Sequence, residues 1–275
     1  MPAQPSAIQS LTEQPQSLTS VLAGINLDPE ESLVSQIYRI LWDSIVTLKI
    51  LPGQLVSEKE IATALSASKT PVREALIRLE DSGLVTVIPK SGTYVTSIRI
   101  DAYIEGCFIR LQLETGAVRR AAERNGVEQY MTQLDTLLQK QSSALKTKDY
   151  VLYASLDEAL HETFFVVAGL HGVWHFLKKT QADVNRIRHL KRISGIRRGK
   201  QVIQQHSAIV DAIKAGDPQA AGDALVAHIG SLESEIEQLT DYPELLAFIE
   251  NQNTTLIRKL PGRRNARSTH SQQAS

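Results

Sequence analysis

Four side chains in the second half of the chain have the types and spacing of a metal shell. Asp157 and His161 are four residues apart and share a helix face with Ala154, Phe164, Phe165 and Ala168, so both should point inward. His206 stands with Ile209, Val210 and Ile213, and His228 with Leu225, Ile229 and Leu232, on the apolar sides of two further helices. One carboxylate and three imidazoles from three helices fill part of an octahedral shell and leave positions for water or a ligand's oxygens. Zinc is the conservative choice of divalent metal; nickel and manganese stay open, because such a donor set selects weakly by affinity. The competing reading makes each histidine a hydrogen-bonded core residue in a metal-free domain. The aspartate weighs against it, since a buried ionised carboxylate is costly unless paired and these segments offer no obvious buried cation. A metal-dependent hydrolase is the third reading. It ranks low, because His161-Glu162-Thr163-Phe164-Phe165 lacks the second histidine of a zinc-protease helix and Glu162 points away from the ligand face.

A second constellation is basic. Lys69 and Arg73 lie one helical turn apart, while Val72, Ala75, Leu76 and Leu79 recur at i, i+3, i+4 and i+7 on the other flank. Ser68 is placed to cap this helix and Pro71 falls in its first turn, where a missing N–H costs nothing. Upstream, Ser57-Glu58-Lys59-Glu60 has capping-box spacing and opens a short helix carrying Ile61 and Leu65, with Ser66-Ala67 as the turn between. Downstream, residues 84–88 and 93–97 are β-branched runs separated by Pro89-Lys90-Ser91-Gly92, which predicts a hairpin with a basic tip. A leading helix over 33–48 carries Leu33, Ile37, Leu41, Ile45 and Leu48 on one face. Three helices and a hairpin wing present the polar start of the third helix as a reading edge for the DNA major groove.

The elements that must hold these groups follow from the rest of the chain. From residue 100 onward apolar positions return every three or four residues, predicting helices over 102–124, 127–147, 151–168, 173–193, 199–215 and 218–239. Asp217 with Pro218 marks a firm helix start. The fold class is therefore mainly α: a disordered tail over 1–30, a winged helix-turn-helix over 31–99, an all-helical bundle over 100–251 and a basic disordered tail over 252–275. That last tail holds Arg258, Lys259, Arg263, Arg264 and Arg267. With 30 Lys and Arg against 30 Asp and Glu, the chain of 275 residues is formally neutral. Affinity for nucleic acid must then come from local gathering of Lys59, Lys69, Arg73 and Lys90. The single cysteine, Cys107, excludes an internal disulfide, and no apolar run approaches the ~20 residues that cross a bilayer. Residues 1–29 lack the basic start of a signal peptide, so a cytoplasmic place and no membrane partner are expected.

Two stretches carry a family resemblance. Leu51-Pro52-Gly53-Gln54-Leu55 with Ser57-Glu58, then Ser68-Lys69-Thr70-Pro71-Val72-Arg73-Glu74-Ala75-Leu76, Gly83-Leu84-Val85 and Gly92, resemble the GntR winged-helix regulators. The resemblance implies DNA contact by Lys59, Lys69, Thr70 and Arg73, beside Ser68 and the wing-tip Lys90, with Gly92 letting the wing approach the minor groove. Lys69 stands where the family usually has Arg, and Ser66 where Gly is usual. Lysine lacks the bidentate fork, so Lys69 should favour a phosphate or a single guanine acceptor.

The helical half resembles the FCD ligand-binding domain of the FadR-type branch, through Asp157-Glu158-Ala159-Leu160-His161, the run from His206 to Ile213, and His228. The resemblance implies that these four residues hold metal and that Arg110 lies near a ligand. The competing role of Arg110 is an i,i+4 pair with Glu114. Facing the cavity, its fork would clamp a carboxylate, which makes the effector a small organic acid. Asn185 and Arg188 are further effector candidates. Arg186, Arg188, His189, Lys191, Arg192, Arg197 and Arg198 are expected to form a solvated helix edge and loop. The combined expectation is a homodimeric transcriptional regulator, a repressor by default, on a palindromic double-stranded operator, with the effector altering half-site geometry.

Overall fold

The computed structural model describes residues 16–194 and 199–259, and these divide into two compact units. The first comprises the described residues of Met1–Arg99, Asn185–Ser194 and Tyr242–Ser275; the second comprises those of Ile100–Val184 and Gly195–Asp241.

In the first unit, Ser17 caps α1 (Leu18–Leu22), accepting from the Ser20 amide at 3.1 Å, and both of its leucines are buried. The disordered tail expected over 1–30 is thus corrected from Ser17 onward, while its first fifteen positions lie outside the described residues. Two leucines four apart give this segment one apolar stripe, enough to dock a single turn. α2 (Leu33–Val46) starts at Ser32 and buries Ile37, Leu41 and Ile45; Leu33 stays exposed, and Leu48 lies beyond the helix at φ 58°. Ser57 accepts from the Glu60 amide to start α3 (Glu58–Ala64), and α4 (Lys69–Asp81) buries Val72, Ala75, Leu76 and Leu79 as its spacing predicts. The turn between them puts Ser66 at φ 51°, the left-handed region that explains why glycine suits that position. β1 (Val85–Ile88) and β2 (Gly92–Val95) pair antiparallel in the register Val85↔Val95 to Ile88↔Gly92. The wing strands are shorter than the expected runs. Segment 53–56 lines the outer edge of β2, with the Val56 amide donating to Thr93 O at 2.8 Å.

The second unit contains α5 (Ile100–Glu123), α6 (Glu128–Lys146), α7 (Tyr150–Ala168) and α8 (His171–Lys179). After α9 (Ala182–Ile193), α10 (Gly199–Ala215), α11 (Pro218–Ile229) and α12 (Leu232–Thr240) complete it. Ala117, Val118 and Ala121 of α5, Leu160 and Phe164 of α7, Ile209 and Ile213 of α10 and Leu225 of α11 share its core. Two expected long helices are broken. The 173–193 helix stops at Thr180, whose hydroxyl and amide both turn back to Leu177 O, and Gln181 is buried with its amide on Gly106 O. The 218–239 helix stops at Gly230, φ 90°, after which Ser231 caps α12.

α13 (Pro243–Lys259) belongs to the first unit, and Leu245, Phe248 and Ile249 are buried there. The expected basic tail is therefore helical through 252–259; residues 260–275 lie outside the described residues. The expected solvated edge of α9 is also corrected, because Arg186 is wholly buried and Lys191 nearly so. Arg197 and Arg198 lie outside the described residues. Among the described residues, no helix is long and apolar enough to cross a membrane.

Candidate metal centre and nucleic-acid interface

Three imidazoles meet inside the helical unit. His161 of α7, His206 of α10 and His228 of α11 are all buried, and each offers a nitrogen within 4.8 Å of the others. Their ring centroids are 4.4 to 5.3 Å apart. Asp157, one turn before His161, is buried beside them, with Oδ1 3.6 Å from His206 Nε2. All four metal-shell residues expected from the sequence thus come together, three as a compact cluster and Asp157 at its flank.

The partners of the other ring nitrogens fix the tautomers. Glu114 Oε2 lies 2.5 Å from His161 Nδ1, and a carboxylate can only accept, so Nδ1 carries the proton. Gln141 donates its amide to Asp157 Oδ1 at 3.2 Å, which turns its carbonyl oxygen to His206 Nδ1 at 2.8 Å. Gln205 Oε1 takes the same place beside His228 Nδ1, at 3.4 Å. With Nδ1 turned to these acceptors, each ring directs its Nε2 to the other side. His206 Nε2 and His228 Nε2 consequently face each other at 3.2 Å. At that separation the two nitrogens can share a hydrogen bond or a cation, and imidazoles oriented through their second nitrogen are the usual surroundings of a bound metal. Burial, reinforced by His206 and His161, holds His228 well below the ordinary imidazole range, so it is an unprotonated donor at neutral pH.

Arg110 makes the i,i+4 pair that competed with its effector role, and it also reaches the imidazoles. Its Nε donates to Glu114 Oε1 at 2.6 Å, the i,i+4 pair, and its Nη2 reaches 3.1 Å from His161 Nε2. Burial works against ionisation of Glu114, but Arg110 and His161 outweigh it and hold this carboxyl at about 2. Arg110 is also the buried cation that the sequence reading found missing near Asp157; burial disfavours its charge, and Glu114 and Asp157 restore it. Glu114 and Gln141 are functional residues that the sequence reading missed. Gln141 had a signal, since it continues the apolar stripe of Leu134, Leu137 and Leu138 on α6 and is fully buried. Asn185 and Arg188 belong to the first unit.

The winged helix exposes Lys59, Ser68, Lys69, Thr70, Arg73 and Lys90. Ser68 occupies the N-cap but, contrary to expectation, makes no side-chain cap hydrogen bond, so its hydroxyl stays on the outer surface. Arg73 is occupied: Nε and Nη2 fork onto Glu58 Oε1 and Oε2 at 3.1 and 2.9 Å. These hydrogen bonds hold Glu58 below the usual carboxylate range, with burial opposing and the charges of Arg73 and Lys69 adding. Lys90 turns the hairpin tip at φ 63°. Gly92 has an internal reason to be glycine, because at φ 129° a Cβ would stand 2.7 Å from Leu55 Cδ1.

A winged helix joined to an all-helical unit defines a DNA-binding transcriptional regulator. The bacterial regulatory proteins of the gntR family match residues 33–95, and the FCD domain matches residues 105–231. The chain belongs to the GntR family and carries a FadR-type FCD domain. The HTH-type transcriptional repressor RspR of Escherichia coli (strain K12) is 31% identical over 213 residues, covering 78% of this chain and 92% of RspR. The Nta operon transcriptional regulator of Aminobacter aminovorans is 28% identical over 184 residues, covering 67% of this chain and 85% of that protein. In fold, the chain is similar to E. coli McbR/YncC, with a TM-score of 0.63 and 23% identity over 77% of this chain and 98% of that one. RspR and the Nta operon regulator are regulators of transcription and not enzymes, and this chain is a transcriptional regulator of the same family.

Proposed function

We propose that the helical unit binds a divalent metal, with zinc ahead of nickel and manganese, and a small organic-acid effector that modulates operator binding by a homodimer. The observation that carries this reading is the pair of Nε2 atoms facing each other at 3.2 Å while every Nδ1 is held by an acceptor. His161, His206 and His228 would hold the ion, with Asp157 beside them. When bound, it supplies a Lewis-acidic centre for carboxylate oxygens. Arg110, held by Glu114 against His161, supplies a cation beside the imidazoles for the same carboxylate.

On the DNA side, Lys69, Thr70 and Arg73 would read the major groove from the start of α4. Ser68 and Lys59 would meet phosphates nearby, and Lys90 with Gly92 would bring the wing to the minor groove. Two such units on a palindrome, with the effector favouring one dimer arrangement, repress transcription until effector binds. A tenfold change in operator affinity needs only about 1.4 kcal/mol of coupling.

The test is elemental analysis of the purified full-length protein beside His206→Ala, with gel shifts on DNA selected from a random pool. Wild type is expected to carry about one metal per chain and the variant almost none. Operator affinity of wild type should respond to carboxylic acids and lose that response after chelation. Equal metal content in the two proteins would overturn the reading.

A further inference from the structure

The chain that leaves the wing is held from three directions. The Thr96 amide donates to Leu84 O at 3.0 Å, and the Thr96 hydroxyl donates to Gly83 O at 2.7 Å, which ties this residue to the end of α4. From α9, Arg186 donates Nη1 to Thr96 O at 2.8 Å, and Nη2 to Thr96 Oγ1 at 3.2 Å and to Ser97 O at 3.0 Å. From α13, the Asn253 carboxamide donates to Ile98 O at 2.8 Å and accepts from the Ile98 amide at 3.2 Å, satisfying both backbone groups of one residue. All of these residues belong to the first unit.

Such an arrangement is unusual for a connecting segment. Loops ordinarily leave their backbone groups to water, and a guanidinium is costly to bury. Here Arg186 is 0% exposed, and so is Ile98. The segment contains neither Gly nor Pro, and Arg99 is followed at once by α5, the helix that carries Arg110 and Glu114. Arg186 lies within the matched portion 105–231, whereas Asn253 lies outside both matched portions, 33–95 and 105–231.

We infer that Arg186 and Asn253 are positioning residues for operator binding: by fixing the backbone of residues 96–98 they make the exit from the winged helix a strut, and so restrict the half-site spacing that the protein accepts. Two binding modules joined by a stiff connection gain avidity only when the span matches, whereas a flexible connection tolerates many spans at lower effective concentration. The inference rests on the dimer of the proposed function and is independent of its metal and effector.

The experiment uses full-length wild type, Asn253→Ala and Asn253→Asp on the selected operator, on versions with one or two base pairs inserted between half-sites, and on a single half-site. Asn253→Asp keeps the acceptor for the Ile98 amide but sets a carboxylate against Ile98 O, so it should behave like Asn253→Ala. Wild type should lose roughly tenfold or more in affinity on the respaced DNA, and both variants should lose much less while binding the single half-site as wild type does. Limited trypsin cleavage at the exposed Arg99 should also be faster in the variants. Wild-type spacing preference and wild-type cleavage in both variants would overturn the inference alone. A monomeric wild type in sedimentation would overturn the dimer and the inference together.

Discussion

Two arginine–glutamate pairs, Arg73–Glu58 in the first unit and Arg110–Glu114 in the second, behave oppositely because of where they sit. Arg73 and Glu58 fork together on the surface, with side chains 64% and 33% exposed; Arg110 and Glu114 are 10% and 2% exposed. Water screens the first pair, so it is readily exchanged for another anion. The second pair has no such recourse, since losing either partner strands a charge and also frees His161 Nδ1 from its acceptor. The arginine proposed to read DNA thus sits in an exchangeable pair, and the arginine beside the imidazoles in a fixed one.

The sharpest way to break this contrast is Glu114→Ala, which should destabilise the protein by about 3–5 kcal/mol in urea unfolding, because Arg110 is left as an uncompensated buried charge. The companion surface change, Glu58→Ala, should leave the unfolding midpoint nearly unmoved. Equal effects of the two would remove the distinction. The same carboxyl gives a pH signature in chelator-treated protein. Its folded pKa is depressed, so its stabilising contribution is fully present above the unfolded value of about 4.3 and is lost as pH falls through about 2. Glu114→Gln should flatten that acid limb.

Next in size, Arg73→Ala should weaken operator binding roughly tenfold or more without changing the fold or the oligomeric state. Unchanged affinity in a gel-shift titration would refute the reading edge. Smallest is Glu58→Gln, which removes the competing carboxylate and should tighten binding a few-fold at low salt, with the gain fading as salt rises. Weaker binding would mean that Glu58 orients Arg73 for DNA and does not merely occupy it.

What the sequence revealed follows the same division. The winged helix was legible because its signals are local: Ser57 before α3, the Val72 to Leu79 stripe, and the Pro89 to Gly92 turn each act within a few residues. The three histidines and Asp157 were legible as inward positions on separate helices. Their orienting partners were not, because Glu114, Gln141 and Gln205 acquire meaning only when α5, α6, α7, α10 and α11 pack together. The breaks at Thr180 and Gly230 passed unnoticed for different reasons. Thr180 and Gln181 carry no turn signature, whereas Gly230 is a common helix stop that the continuing apolar pattern concealed. The burial of Arg186 ran against composition altogether, since a run of basic residues ordinarily reads as solvent-facing.

The placement of α13 has a consequence for biosynthesis. Leu245, Phe248, Ile249 and Asn253 finish a structural unit whose other parts begin near Ser17. A ribosome releases the amino-terminal end first, and single units generally fold as they emerge. Here the unit that grips DNA waits for residues around Asn253 to be translated, so a nascent or prematurely terminated chain is denied a finished grip on the chromosome.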